Sequence, residues 1–255
     1  MKETVTVYWA PAITPETSTS NLLYSTPVPV LNRLRKSQVK SLPGTLFSCP
    51  ATTSLFNNVF ELSLPISLET SLTEEDKLNV FVPPFGKDIL NGIAPISLMK
   101  NRRSNLEGYF ACAIGGFGWI FFAEEPLVAR FSAPYFPPSA PTEGAILAAG
   151  EFDIGNWYRP MNFEYHIPQS AESITFKEQE PIGYVEFKTE KEIVFKRYQM
   201  TPFLFSLVEE VMSTTKYSKF WGKKSYLPLS KRYQLFKKAH FNSLVLSEIK
   251  KNVIE

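Results

Sequence analysis

Between residues 153 and 166 the chain concentrates side chains that could bind a ligand or take part in acid–base chemistry. The set combines two carboxylates, an amide, a guanidinium, an imidazole and an indole: Asp153, Asn156, Trp157, Arg159, Glu164 and His166. Groups of this kind, carried by loops on a rigid β scaffold, are typical of a small-molecule pocket. A structural role is the other interpretation, with Asp153 and Asn156 capping a turn, Trp157 in the core and Arg159 paired with a carboxylate. Both interpretations stay open.

Several common chemistries find little support in the residue pattern. The chain has two histidines, His166 and His240, which argues against metal centres built from several imidazoles. The glycine-rich stretch 115–118 lacks the Lys-Ser/Thr of a phosphate-binding loop, and neither histidine lies near a nucleophile motif. We therefore predict no metal and no cofactor, assign no catalytic residue, and leave open whether the protein is an enzyme.

A second candidate surface is the basic stretch 216–251, in which the single acidic residue is Glu248. Its aromatic residues alternate with lysines, a pattern typical of contact with nucleic acid or an acidic protein. The alternative is a pair of helices that packs on the β body and turns its lysines to solvent. The residues predicted to bind a partner are Lys216, Lys219, Lys223, Lys224, Lys231 and Arg232.

Alternating polar and apolar residues predict strands through most of the chain. Residues 1–9 predict a first strand, and 162–168 place Phe163, Tyr165 and Ile167 on one face, opposite Glu164 and His166. Phe60, Leu62 and Leu64 alternate with Glu61 and Ser63 in the same way, and 109–123 predicts two strands around its glycines. Short strands with tight turns favour antiparallel meanders.

The spacing of apolar residues changes at Thr201 from the period of a strand to that of a helix. Thr201 suits a helix N-cap, with Pro202 at the first helical position. A further helix is predicted over 230–252, whereas 30–40 is either a short helix or an exposed loop. We therefore predict a mainly β fold, an antiparallel sandwich or barrel, with a C-terminal helical appendage (α+β). Residues 1–200 form the β domain, and 201–255 form a basic two-helix appendage packed on it.

The apolar runs, of which 115–123 is among the longest, are about half the length needed to span a bilayer. The first residues lack the apolar region of a signal peptide. Cys49 and Cys112 form no recognisable framework and are predicted to be small buried residues in a reducing compartment. We expect a soluble protein, kept in a cytoplasm, without a membrane partner.

Several motifs resemble an uncharacterised family of proteins from large tailed phages of marine bacteria and cyanobacteria. They are a Cys-Pro-Ala element at 49–51, a Gly-x-Phe-Asp-x-Gly-x-Trp-x-Arg-Pro segment at 150–160, a strand pattern at 174–187 and Lys196-Arg197. The resemblance covers roughly residues 45–200 and implies a viral origin, in the host cytoplasm or the virion, but no particular reaction.

The chain is also similar to trimeric dUTP-hydrolysing enzymes in the layout around Asp153, Tyr158-Arg159 and 180–182. Pro160, however, stands where those enzymes have glycine. This similarity concerns the order of strands. We expect a non-enzymatic phage protein that binds a phage or host protein or forms part of a viral assembly, with nucleic acid as a further partner for the basic tail. The alternative is a nucleotide-like small-molecule binder or enzyme that uses a pocket around Asp153 and Arg159.

Overall fold

The computed structural model describes residues 3–12, 24–37, 49–72, 78–81, 106–136, 145–171, 173–212, 215–217, 224–226, 231, 234 and 241–254. The helices are α1 (Val30–Ser37), α2 (Pro50–Leu55), α3 (Pro202–Met212) and α4 (Phe241–Lys251). The strands are β1 (Thr4–Pro11), β2 (Val28–Pro29), β3 (Val59–Ser63), β4 (Leu68–Leu72), β5 (Leu78–Phe81), β6 (Tyr109–Ala123), β7 (Val128–Ser132), β8 (Ile146–Leu147), β9 (Gly150–Asp153), β10 (Pro160–Pro168), β11 (Ser173–Phe176), β12 (Pro181–Phe187), β13 (Glu192–Arg197), β14 (Thr215–Tyr217) and β15 (Lys224–Tyr226).

Two five-stranded sheets form the body of the protein. Sheet A has the order β13-β1-β6-β10-β8, and sheet B has the order β2-β3-β12-β7-β9. Neighbouring strands are antiparallel except for β1 and β13, which run parallel from Thr4 opposite Glu192 to Trp9 opposite Arg197. A three-stranded sheet (β11-β4-β5) and the β14–β15 hairpin complete the described strands. The predicted mainly β fold with C-terminal helices is confirmed, as open sheets and not as a closed barrel.

Sheet A is apolar on both faces because its central strands are covered on both sides. In β1, Val7 and Trp9 join Phe121 of β6 in the core shared with sheet B. The intervening residues Tyr8 and Ala10 join a second core that includes buried residues of the two C-terminal helices: Leu204, Val208 and Val211 of α3, and Val245 and Ile249 of α4. The layers are therefore sheet B, sheet A and helices, which explains the nearly continuous apolar run 119–123.

Helix α1 covers the outer face of sheet B. Val30 and Leu34 pack there with Phe56, Val59 and Tyr184. The segment 30–40, for which the sequence left helix and loop open, is helical through Ser37. Its position matters for function because α1 also carries Arg33 towards β3.

The predicted faces of β10 are confirmed, since Phe163, Tyr165 and Ile167 are buried. The predicted pair of strands over 109–123 is wrong: β6 runs unbroken, and the irregularity lies in β10, between Met161 and Phe163. Strand β6 pairs with β1 through residues 119–123 and with β10 through residues 109–114, 119 and 120. Only Trp119 and Ile120 therefore pair with both neighbours.

The C-terminal part combines the predicted helices with an additional hairpin. Helix α3 begins at Pro202, as predicted, and Thr201 Oγ1 accepts a hydrogen bond from the Leu204 N–H at 3.3 Å. Helix α4 occupies the second half of the predicted 230–252 helix. The hairpin β14–β15 lies between the two helices in sequence, where strands were not predicted.

Candidate functional site

The most unusual polar group in the described part of the chain is the carboxylate of Glu61. It lies on β3, and only 6% of the residue is exposed. Val59 and Glu61 point to the outer face of sheet B, whereas Phe60 and Leu62 enter the core between the sheets. Helix α1 covers this outer face, so Glu61 is buried by a helix instead of facing water.

Arg33 of α1 holds one of the two Glu61 oxygens. The Arg33 Nε atom lies 2.8 Å from Glu61 Oε2, and the second guanidinium arm donates to the Gln179 carbonyl oxygen at 2.9 Å. The other carboxylate oxygen, Oε1, is buried and has no hydrogen-bond partner among the described residues. A buried polar atom without a partner is unusual and costly in a folded protein.

Burial and neighbouring charges shift the pKa values of Glu61 and Tyr184. Burial raises the pKa of Glu61 to about 7, although the Arg33 guanidinium acts in the opposite direction. Tyr184 lies directly across from Glu61 on β12, and burial together with the Glu61 charge raises the pKa of this phenol to about 12. Glu61 therefore changes its charge near neutral pH.

A cavity of about 470 Å³ opens beside Glu61. Its wall combines residues before β2, α1, the end of β3, Trp119 of β6 and the turn between β11 and β12. The polar residues of the lining are Ser25, Thr26, Arg33, Lys36, Glu61, Ser63, Glu178 and Gln179. We call this space the Glu61 cavity. It has the size and the mixed polar and apolar lining of many small-molecule sites.

Two more buried polar atoms lie in this region. Trp119 Nε1 and the Tyr24 hydroxyl are buried without hydrogen-bond partners among the described residues. Trp119 lines the Glu61 cavity, and its indole meets the Tyr24 ring edge-on at 5.2 Å. Arg197 stacks on Trp9 at 4.9 Å and donates to the Tyr24 carbonyl oxygen at 3.0 Å. Two buried polar atoms without partners among the described residues, Glu61 Oε1 and Trp119 Nε1, thus belong to residues that line one cavity.

The predicted cluster at 153–166 divides into three parts. Asp153 and Asn156 form a capped turn: Asp153 Oδ1 accepts the N–H groups of Leu127 and Gly155 at 3.0 and 2.9 Å, and Oδ2 accepts from Asn156 Nδ2 at 2.5 Å. From α4, Asn242 Nδ2 donates to the Gly155 carbonyl oxygen at 2.9 Å and to Asn156 Oδ1 at 3.2 Å. The turn thus links sheet B to α4.

Trp157 and Arg159 form the second part. Trp157 is buried in the core that contains the C-terminal helices, as the structural interpretation expects. The Arg159 guanidinium lies 4.8 Å from the Trp157 ring and 5.9 Å from the Phe152 ring. Burial lowers the pKa of Arg159, and its Nε has no hydrogen-bond partner within the described residues. Stacking on aromatic rings therefore replaces the expected carboxylate partner.

Glu164 and His166 form the third part, on β10. Both are half-buried, on the face of β10 opposite Phe163 and Tyr165. His166 pairs with Ala111 of β6 and Ile146 of β8. The six residues thus lie in a turn, a stack and a strand face. Their assignment as one ligand-binding set stays a prediction.

The predicted partner-binding residues are covered only in part. Lys216 lies in β14, Lys224 lies in β15, and Lys231 is helical and exposed. Lys219, Lys223 and Arg232 lie outside the described residues. At the other end of the appendage, Lys250 of α4 binds Glu124 at 3.0 Å, and Glu124 also accepts the Tyr8 hydroxyl at 2.6 Å.

Sequence reasoning missed the Glu61 cavity. The alternation in β3 correctly separated Glu61 from Phe60 and Leu62, but it implied a face turned to water. The available signal was the basic content of 30–40, because a short helix that carries Arg33 and Lys36 can pair with a carboxylate of the strand that it covers. The prediction that Cys49 is buried is wrong: it is exposed just before α2, and backbone N–H groups of that turn lower the pKa of its thiol. The Cys112 side chain lies outside the described set.

Among the described residues, no group of three or more His, Cys, Asp or Glu side chains is arranged to hold a metal ion. None of the described helices has the length and apolar character that crossing a bilayer requires. No protein-family model, curated protein or solved structure matches this chain. The case for a function therefore rests on the geometry of the chain itself.

Proposed function

We propose that the chain is a non-enzymatic binding protein that holds a small, polar, uncharged molecule in the Glu61 cavity. The observation that carries this proposal is Glu61 Oε1, a buried carboxylate oxygen beside the cavity without a hydrogen-bond partner among the described residues. A bound molecule with an O–H or N–H group would satisfy this oxygen. Because leaving such an atom unsatisfied costs about 1–3 kcal/mol, a ligand that donates to it gains affinity.

The charges of the residues that line the cavity favour a ligand without net charge. Arg33 and Lys36 are balanced around the same cavity by Glu178 and, above about pH 7, by the ionised Glu61. Hydroxyl groups of Ser25, Thr26 and Ser63 can both donate and accept, which suits a molecule rich in hydroxyl or amide groups. The apolar part of the wall, which includes Leu62, Leu64 and Trp119, suits the carbon skeleton of the same molecule. Monosaccharides, nucleosides and primary amides combine these features.

The test is ligand-induced stabilisation with panels of neutral monosaccharides, nucleosides and primary amides. At about 100 times its dissociation constant a ligand stabilises the folded protein by about 2.7 kcal/mol. We expect one panel to raise the unfolding midpoint of the wild-type protein and of the control Glu209→Gln, an exposed site on α3. In Glu61→Leu, which lacks the acceptor, the rise should disappear. Equal responses in Glu61→Leu and wild type, or no response to any panel, would contradict the proposal.

The motifs at 49–51 and 150–160 support a wider proposal about the setting of this binding. In it the chain is a protein of a large tailed phage, present in the host cytoplasm or the virion, with a phage or host protein as partner. The basic tail supplies a surface for an acidic partner or nucleic acid, with exposed Lys231 among its residues. Mass spectrometry of purified virions and of infected-cell extracts tests the setting. Absence of the chain from both would contradict it.

Salt dependence tests the role of the tail. Contacts with phosphate groups make the logarithm of the affinity fall linearly with the logarithm of the salt concentration. Replacing Lys231 and Arg232 together by Gln should reduce this slope for a duplex DNA probe, whereas Glu61→Leu should leave it unchanged. A tail that packs as a structural element would give the same weak binding in all three proteins.

A further inference from the structure

The lining of the Glu61 cavity gains one positive charge when Glu61 takes up a proton, and the protonated cavity suits a second class of ligand. We propose that the cavity also binds small monocarboxylates, each together with one proton that Glu61 Oε1 donates to a carboxylate oxygen of the ligand. This inference rests on the cavity of the proposed function and goes beyond its uncharged ligand.

The two oxygens of the Glu61 carboxyl have different surroundings, which defines where the proton sits. Arg33 Nε lies 2.8 Å from Oε2, and a guanidinium nitrogen can only donate. Oε1 is buried without a hydrogen-bond partner among the described residues. A proton on Oε2 would compete with the Arg33 N–H, whereas a proton on Oε1 leaves that contact intact. The protonated carboxyl therefore presents an O–H at Oε1, and no described residue accepts it.

Neighbouring titratable groups set the net charge of the cavity. Those that line it or face Glu61 come from α1, β12 and the 177–180 turn, and they are Arg33, Lys36, Tyr184 and Glu178. Val28 of β2, which lies opposite Glu61 in sheet B, carries no charge. Burial and the Glu61 charge raise the pKa of Tyr184 to about 12, so this phenol stays neutral. With Glu61 protonated, the two cations face the single anion Glu178, and the lining keeps one positive charge.

One positive charge beside an O–H donor matches a carboxylate. A monocarboxylate brings one negative charge and therefore neutralises the lining of the protonated cavity, whereas a dianion would leave a negative charge without compensation. Two carboxyl groups close together share one proton because two adjacent carboxylates repel each other. A hydrogen bond from O–H to an ionised carboxylate is also stronger than one between neutral groups.

The remaining residues of the lining suit the other parts of such a ligand. Hydroxyl groups of Ser25, Thr26 and Ser63 can donate to the second carboxylate oxygen. Leu62 and Trp119 offer apolar surface to a short hydrocarbon chain or a ring. The volume of about 470 Å³ gives room for an aliphatic acid of a few carbon atoms or for benzoate.

The shared proton makes carboxylate affinity depend on pH. Burial raises the pKa of Glu61 to about 7, against the effect of Arg33. Below this pH the proton is already in place, and a carboxylate binds without further proton uptake. Above it, the ionised Glu61 repels the ligand until a proton is taken from the solvent, so the affinity falls by up to about ten-fold for each pH unit. Ligand carboxylates have an ordinary pKa of about 4 and stay ionised throughout.

Isothermal titration calorimetry of the full chain with sodium butyrate and sodium benzoate, between pH 6 and pH 8.5 at constant ionic strength, tests the inference. We expect wild type to bind at least one of them, with an affinity at least about ten-fold lower at pH 8.5 than at pH 6. Titrations in two buffers with different heats of ionisation give the number of protons taken up. This number should be about one per bound ligand at pH 8.5 and close to zero at pH 6.

Glu61→Gln is the matched variant, because its amide is uncharged at every pH and its NH₂ group can donate where the protonated Oε1 does. We expect it to bind the carboxylate equally well from pH 6 to pH 8.5, without proton uptake, and at pH 8.5 at least about ten-fold more tightly than wild type. Glu61→Leu has no donor and should bind at least about ten-fold more weakly than wild type at pH 6. The control Glu178→Gln removes a negative charge from the same lining and should keep the wild-type pH dependence.

Three results would overturn the inference. Wild type that binds neither carboxylate at pH 6 has no such site. Equal affinities at pH 6 and pH 8.5 would mean that no proton is bound with the ligand. A wild-type pH dependence that persists in Glu61→Gln would mean that another group holds the proton.

The uncharged panels test the proposed function separately. A response of wild type to those panels without carboxylate binding would contradict this inference alone. Carboxylate binding with the expected pH dependence, without a response to the panels, would support this inference and contradict the uncharged ligand of the proposed function.

Discussion

The Asp153 turn and the Glu61 cavity each contain a carboxylate beside sheet B, and they differ in how the carboxylate oxygens are used. Both oxygens of Asp153 accept hydrogen bonds from the protein itself. Glu61 uses one oxygen for Arg33 and leaves the other, Oε1, buried without a partner among the described residues. The turn therefore serves to hold the fold together, whereas the cavity has bonding capacity left for a ligand.

Gly155→Ala should produce the largest loss of stability and would sharpen this contrast. A Cβ atom at residue 155 would collide with the Glu125 carbonyl oxygen and with the backbone of Pro126. Because these contacts are backbone and cannot swing aside, we expect a loss of at least about 3 kcal/mol in the free energy of unfolding. Ser63→Ala, in the wall of the Glu61 cavity, should change it by less than about 0.5 kcal/mol. Urea denaturation measures the free energy of unfolding of both variants. Equal losses would contradict the proposed difference between the Asp153 turn and the Glu61 cavity.

The raised pKa of Glu61 should make the free energy of unfolding depend on pH. Its folded-state pKa is raised from an ordinary 4.5 to about 7, so the protonated carboxyl favours the folded state. This contribution is fully present below the unfolded pKa and is lost as pH rises through about 7. At about 1.36 kcal/mol per pKa unit, wild type should lose about 3 kcal/mol relative to Glu61→Gln between pH 4.5 and pH 8.

Urea denaturation of wild type and Glu61→Gln at a series of pH values measures this difference. Glu209→Gln on exposed α3 is the control and should run parallel to wild type. A difference between Glu61→Gln and wild type that stays constant with pH would mean that Glu61 titrates as an ordinary carboxyl.

Asp153→Ala should cost about 2 kcal/mol, because it removes the acceptor of two backbone N–H groups. Asp153→Asn keeps the oxygen that accepts both of them and should cost clearly less. Thermal unfolding of the two variants gives the comparison. A larger loss in Asp153→Asn than in Asp153→Ala would show that charge, and not capping, is what the turn requires.

Lys250→Gln should have the smallest effect. The ion pair of Lys250 with Glu124 is short, but 48% and 44% of the two side chains are exposed. Exposed pairs contribute about 0–1 kcal/mol, so we expect a loss below about 0.5 kcal/mol that vanishes at high salt. A loss that persists at high salt would show that the pair is shielded from dissolved ions in the way that a buried pair is.

The sequence predicted those features that depend on neighbouring residues. Alternation gave the buried face of β10, and the step from Thr201 to Pro202 gave the start of α3. The capping role of Asp153 follows from its turn and was one of the two interpretations considered. These features need no knowledge of what the rest of the chain does.

Features created by distant parts of the chain were not predictable in this way. Glu61 is buried because α1 lies over it and because the 178–179 turn comes near Arg33. Trp119, which lines the same cavity, comes from β6 of sheet A. In each case the deciding contact is tertiary, and a pattern of residue types within one segment contains no information about it.

The parallel pairing of β1 with β13 has a consequence for synthesis. Strand β1, second in the order of sheet A, is synthesised before the other strands of that sheet, yet its neighbour β13 begins only at residue 192. Contacts between such remote residues form slowly because a long loop must close first. Until residues 192–197 have been synthesised, one edge of β1 therefore has no strand to pair with, and we expect chaperones to improve the yield of native protein.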